Sequence, residues 1–139
     1  MNFGYKKLYI NGSLQDSEDG SKQDVICPAT AEKIAHIAEA GKSDAIKALN
    51  SARDGYKLWS KLTLNDRTNW MGKLRKAILE NERKLRLAII YEMGKTYEGS
   101  YEDIEALVNS LEWYPNAMKN YHDQQIVDYE GTHTHKIVH

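Results

Sequence analysis

The sequence predicts an α+β fold: an N-terminal β-hairpin with short strands, then three to four amphipathic helices, then C-terminal extended strands. Three observations carry that expectation. Asn11-Gly12 separates two short apolar runs, the hydrophobic period changes from two to about 3.6 at Gly41-Lys42-Ser43, and the pattern becomes extended again after His122-Asp123.

In chain order, Lys7 to Leu14 reads as strand, turn and returning strand, because Asn and Gly both tolerate the positive φ of a type I′ turn. The polar run Asp16 to Ser21 reads as a loop around Gly20. Asp24 to Cys27 is extended and stops at Pro28, which restricts its neighbour and has no amide to donate. Lys33 to Ala38 alternates as a further short strand. Ser43 is placed to cap a helix beginning at Asp44, whose largely apolar stripe runs through Ile46, Leu49, Arg53, Tyr56 and Trp59 or Ser60. A second helix is predicted from Asn65 or Asp66, with Trp70, Met71, Leu74, Ala77 and Ile78 inward and Arg67, Lys73, Arg75 and Lys76 mostly outward. Asn81-Glu82 marks a break. Leu85, Ala88, Ile89 and Glu92 then carry the helical period to Met93-Gly94, where glycine can take the left-handed conformation that ends a helix. A fourth helix is predicted over Tyr101 to Tyr114 on Ile104, Leu107, Val108 and Leu111, with a bend near Trp113 and a kink or stop at Pro115. Gln125 to Tyr129, a turn at Glu130-Gly131, and Thr132 to His139 complete the chain as strands.

Trp59, Trp70, Leu74, Ile78, Ile89, Leu107 and Leu111 are expected to form an apolar cluster. Each strand-rich end is too small to be a stable sheet alone, so its edges are expected to seek partners. The helical faces left without a covering layer point the same way, toward self-association.

Composition narrows the function classes. With 139 residues, 41% of them hydrophobic, a core is attainable without cross-links, and the single cysteine excludes an internal disulfide. No charged-then-apolar leader and no 18-residue apolar run is present, so neither secretion nor membrane spanning is expected and the cytoplasm is the expected compartment. Charge is uneven: Ser43 to Lys95 holds 12 Lys+Arg against 6 Asp+Glu, whereas Thr96 to Gly131 holds 1 against 8. A nucleic-acid-binding helical domain is the weaker alternative that this asymmetry raises. Arg75, Lys76, Arg83 and Lys84 sit among helix-forming apolar residues without interleaved aromatics, so the two stretches are expected to pack beside each other, with no nucleic acid and no membrane among the partners.

Few residues suggest chemistry. Cys27, at a strand end before Pro28, lacks the electropositive setting of a reactive thiolate and reads as structural. His133, His135 and His139 share strand parity and could meet a metal, but terminal position favours solvated histidines. Gly94-Lys95-Thr96 resembles the tail of a phosphate loop, yet Ile89 stands where that loop needs glycine. Glu102, Asp103 and Glu105 read as a solvated helix face rather than an acid–base pair.

Four segments in order carry a resemblance: Leu8-Tyr9-Ile10-Asn11-Gly12; Val25-Ile26-Cys27-Pro28-Ala29-Thr30; Trp59-Ser60; and Leu85 through Glu92-Met93-Gly94-Lys95. Together they resemble the N-terminal part of the NAD(P)-dependent aldehyde dehydrogenase superfamily. The departures are Cys27 in place of the family's Asn, Ala31 in place of Gly, and Pro115 in a normally unbroken helix. The resemblance implies a partial aldehyde dehydrogenase-like fold. Residues 1–40 would form the hairpin and strand segment, 41–122 the helical part of the cofactor-domain layer, and 123–139 the start of the oligomerisation strands.

The complete enzyme would oxidise an aldehyde to a carboxylic acid through an activated cysteine and a positioned glutamate, using NAD or NADP. Both catalytic groups fall further along in the family, so no catalytic and no cofactor-binding residue is assigned here. This chain is expected to be inactive alone and to bind neither cofactor tightly. Two finer assignments follow from the resemblance: a monovalent cation at Val25, Ile26 and Glu92, and an aldehyde tunnel lined by Glu102 and Ala106. Implied partners are further copies of the chain or homologous aldehyde dehydrogenase subunits. The alternative is a non-catalytic interaction module that docks on intact subunits.

Overall fold

The computed structural model describes residues 1–120, 125–127, 131 and 134–136. It is mixed α+β, with four helices and short strands, and its residues group into two compact units.

The first unit comprises Met1–Lys61 and Glu82–Asp103. Its sheet has the order β1 (Tyr5–Lys6), β5 (Lys33–Ala38), β4 (Lys22–Ile26), with β1 parallel and β4 antiparallel to the central strand. Ile34 and Ala35 are adjacent yet both buried, with Ala38 beyond them. Successive strand residues point to opposite faces, so both faces of β5 are covered and the core of this unit is centred there. A register shift between Val25 and Ile26 breaks the β4–β5 ladder just before Pro28. The hairpin β2 (Leu8–Ile10) and β3 (Ser13–Gln15) turns at Asn11 and Gly12, whose φ values of 52° and 77° are those a type I′ turn requires.

Helix α1 (Lys42–Trp59) starts two residues before the predicted Asp44, because its cap differs from the expected one. Gly41 is the N-cap, and the Asp44 carboxylate accepts from the Gly41 amide at 3.0 Å. Ser43 lies within the first turn and donates to Glu18 instead. Along its apolar stripe Ile46, Leu49, Tyr56 and Trp59 are exposed, since no described layer of this unit covers them. Helix α3 (Glu82–Met93) ends where Gly94 adopts φ 69°.

The second unit comprises Leu62–Asn81 and Ile104–His139. Helix α2 (Leu64–Glu80) opens with a reciprocal cap: the Asp66 amide donates to Thr63 Oγ1 at 3.1 Å, and the Thr63 amide donates to Asp66 Oδ2 at 3.2 Å. Asn81 closes it, donating from its backbone and side-chain amides to the Ala77 carbonyl. Ile78 is buried as predicted, but Trp70 and Leu74 are half exposed, while Arg67 and Arg75 are only partly exposed. Several residues expected in the apolar cluster are not buried. Trp59, Trp70, Leu74 and Leu107 are exposed, and the buried apolar residues of this unit are Ile78, Ile104 and Val108.

Helix α4 (Tyr97–Asn120) begins four residues earlier than predicted, because Thr96 caps it through a bond from the Gly99 amide to Oγ1 at 3.0 Å. Nor does it stop at Pro115. Proline removes one amide, the one that would reach the Leu111 carbonyl, and the adjoining turn is reinforced by Asn116 Nδ2 donating to the Glu112 carbonyl at 3.0 Å. Strands β6 (Gln125–Val127) and β7 (Thr134–Lys136) pair antiparallel. Of the predicted turn, Gly131 has φ 70° and Glu130 lies outside the described residues.

Candidate functional site

The segments on which the sequence places function converge within the first unit at the end of α3. After β4 the chain turns tightly: the Ala31 amide donates to the Cys27 carbonyl at 2.8 Å, the Cys27 amide to the Glu32 carbonyl at 2.9 Å, and Ala31 sits at φ 56°. Against this turn lies Gly94. A Cβ at that position would stand 2.8 Å from Pro28 Cγ, inside any tolerated contact, so the helix end and the strand end can meet only through a residue without a side chain. The turn that follows Val25 and Ile26 thus abuts the turn that follows Glu92. Val25 is partly buried and lies at the register shift; Ile26 and Glu92 are exposed.

Oxygen donors such as backbone carbonyls and one carboxylate suit a hard cation. Among the described residues no group of three or more His, Cys, Asp or Glu side chains is gathered in a way that could hold a metal ion. His133 and His139 lie outside the described residues, and of His135 only the backbone, in β7, is described.

Cys27 is buried, and the hydroxyl of Thr30 hydrogen-bonding its sulfur holds its pKa below the usual thiol value. Burial closes that thiol to solutes. Gly94-Lys95-Thr96 is fully engaged in structure: Gly94 abuts Pro28, Lys95 Nζ donates to Asp103 at 2.6 and 2.7 Å, and Thr96 caps α4. That segment does not fit a dinucleotide phosphate. Glu102 and Ala106 lie exposed on α4, one turn apart on its surface.

Sequence reasoning missed several polar contacts. Asp44 is buried and also accepts from the Glu18 amide, tying the Asp16 to Ser21 loop to the start of α1. Glu18 pairs with Lys47; that ammonium and the Ser43 hydroxyl hold the Glu18 carboxyl below the usual range, and Glu18 in turn raises Lys47. Asp16 accepts from the Tyr5 hydroxyl at 2.8 Å and from Lys7 at 3.0 Å, and is lowered chiefly by the first of these. Asp24 and His36 face each other across β4 and β5 at 2.6 Å. None of these has a local motif; only strand register brings Asp24 to His36. The basic and acidic stretches are joined by Lys95–Asp103 in the first unit and by Arg75–Glu112, at 3.1 Å, in the second.

Set against known proteins, the chain matches the model of the aldehyde dehydrogenase family over residues 14–139. It is 26% identical over 122 residues to the malonate-semialdehyde dehydrogenase of Halalkalibacterium halodurans, a match covering 88% of this chain and 25% of that protein. It is 25% identical over 132 residues to the D-glyceraldehyde dehydrogenase (NADP(+)) of Thermoplasma acidophilum, covering 95% and 26% respectively. Betaine aldehyde dehydrogenase from Staphylococcus aureus, solved in complex with NAD+, superposes with a TM-score of 0.79 at 25% identity, over 89% of this chain and 25% of that one. The chain spans about a quarter of the length of the relatives it matches.

Proposed function

Because this chain belongs to the aldehyde dehydrogenase family, we propose that it serves as the N-terminal portion of an NAD(P)-dependent enzyme that oxidises an aldehyde to a carboxylic acid. It contributes scaffold rather than reacting groups. The observation that carries this reading is the one-sided coverage: the match takes in nearly all of this chain and only a quarter of its relatives. The burial of Cys27 supports it, since the only thiol in the sequence is packed at a strand end where an aldehyde carbon cannot reach it. A nicotinamide cofactor supplies the hydride acceptor in the complete enzyme, and no residue of this chain is assigned to hold it.

Within that enzyme the carbonyls of Val25 and Ile26 and the carboxylate of Glu92 are assigned to a monovalent cation. The broken ladder at Val25/Ile26 and the abutment of Pro28 on Gly94 support this. Glu102 and Ala106 are assigned to the wall of the aldehyde passage, for which their exposure on α4 leaves them available. Purified chain with a panel of aldehydes and either NAD+ or NADP+ is expected to produce no reduced nicotinamide; measurable turnover would refute the scaffold assignment. For the cation, sodium NMR should show line broadening that Glu92→Gln abolishes.

A second reading is a module that docks on intact subunits of the family. The exposed Leu49, Tyr56 and Leu58 of α1 and the two-stranded hairpin with open edges favour it. Size exclusion and pulldown with a full-length relative separate the readings, since docking requires a stable mixed complex.

A further inference from the structure

We propose that Arg86 is a positioning residue, a lock that holds the first turn of α4 in register on α3 and so fixes Glu102 relative to Glu92. Its guanidinium lies over the Tyr97 ring at 3.9 Å and over the Tyr101 ring at 5.4 Å. Nε donates to Ser100 Oγ at 3.2 Å, Nη2 to the Tyr97 carbonyl at 2.9 Å, and Nη1 faces Glu82 Oε1 at 3.4 Å. All three nitrogens are thus engaged, two of them with groups in the first turn of α4. The side chain is only 12% exposed, whereas Arg75 and Lys95 in their ion pairs are 37% and 35% exposed.

The receiving surface is equally specific. Ser100 is fully buried and donates its hydroxyl to the same Tyr97 carbonyl at 2.7 Å, so that carbonyl takes both Arg86 and Ser100. A planar, delocalised cation can stack on aromatic faces and direct donors sideways at once; an ammonium cannot do both. Lys95 bridging to Asp103 closes the far side of the same corner. Arg86 itself touches neither Glu92 nor Glu102, so it acts through the backbone it holds. This role for Glu92 and Glu102 rests on the cation and passage assignments above, whereas the lock does not.

The test uses the chain as it is. In the wild type, the Arg86 Nε–Hε group should give an NMR signal that is ring-shifted and protected from solvent exchange. Arg86→Met and Arg86→Lys should each speed amide exchange in residues 97–103 by at least tenfold, with the amides of Lys33–Ala38 unchanged. A Lys variant that behaves as wild type would overturn the stacking lock, as would an exposed Hε or unchanged exchange in the Met variant. Should Arg86→Met fail to fold, the Lys variant and the wild-type signal still decide. No aldehyde enters these measurements, so the lock and the enzymatic assignment fail separately.

Discussion

Residue identity matters most where backbone geometry leaves no alternative, and positions 31 and 94 show the two sides of that. Gly94→Ala would place a Cβ 2.8 Å from Pro28 Cγ at a positive φ. Left-handed strain and overpacking together should cost about 2 kcal/mol or more, read as a lower urea midpoint at unchanged slope. Ala31 is the converse, a side chain held at φ 56°. Ala31→Gly removes strain of about 1–2 kcal/mol but adds unfolded-chain entropy of about 0.4–1 kcal/mol, so a small net gain in stability is expected from the same measurement. Charged side chains set the pH window. Asp16, Glu18, Asp19 and Asp66 are all held below their ordinary carboxylate values in the folded chain. Their contribution is present above the unfolded values and is lost as pH falls through the folded ones. Tyr5 and Lys47 are raised, so theirs is present below the unfolded values and lost as pH rises through the folded ones. Stability should decline below about pH 5 as the carboxylates protonate, and above about pH 10 as the Tyr5 and Lys47 contributions are lost. It should rise on the alkaline side of neutrality, as pH passes from the folded to the unfolded value of the Cys27 thiol, which is held low in the folded chain. The acid slope should be shallow and weaken with salt, because those carboxylates are exposed. Asp16→Asn, followed by urea titration at each pH, should flatten part of the acid limb.

Single side chains also decide where elements begin. Thr63→Ala removes a reciprocal cap and should cost about 1 kcal/mol, with helix loss visible by circular dichroism. Pro115→Ala should stabilise α4 by about 1–3 kcal/mol, because it restores one amide and relieves one ring clash while keeping the Asn116 bond to the Glu112 carbonyl. Element types were legible wherever the signal was local. Asn11-Gly12 announced the hairpin, Lys33 to Ala38 alternated over the observed limits of β5, and Met93-Gly94 ended α3. What failed was cap assignment and burial. Ser43 looked like a better cap than Gly41, but the buried Asp44 carboxylate reached back to the Gly41 amide. Thr96 was a cap hidden inside an apparent phosphate-loop remnant. The stripe of Ile46, Leu49 and Tyr56 was correctly periodic, yet periodicity states which face wants cover and not whether the described chain supplies it.

At the scale of the molecule, family membership was legible from four short motifs in order, while the candidate site was only partly so. Gly94 and Pro28 were both noticed for their local turns; their mutual contact needed the fold, since 66 positions separate them. The exposed apolar residues of α1 lead to a prediction for the whole chain: sedimentation at rising concentration should show self-association that Leu49→Glu with Tyr56→Glu reduces. The way the first unit is threaded has a further effect, on synthesis. Its sheet is available once Ala38 is made, but α3 and the start of α4 arrive only with Glu82–Asp103, after Leu62–Asn81, which belongs to the second unit. At ribosomal speeds of about 5–20 residues per second, the nascent sheet waits roughly 3–11 s for Gly94 to meet Pro28. Through that interval the newborn chain displays the edges of β1 and β4, to which other extended segments can add.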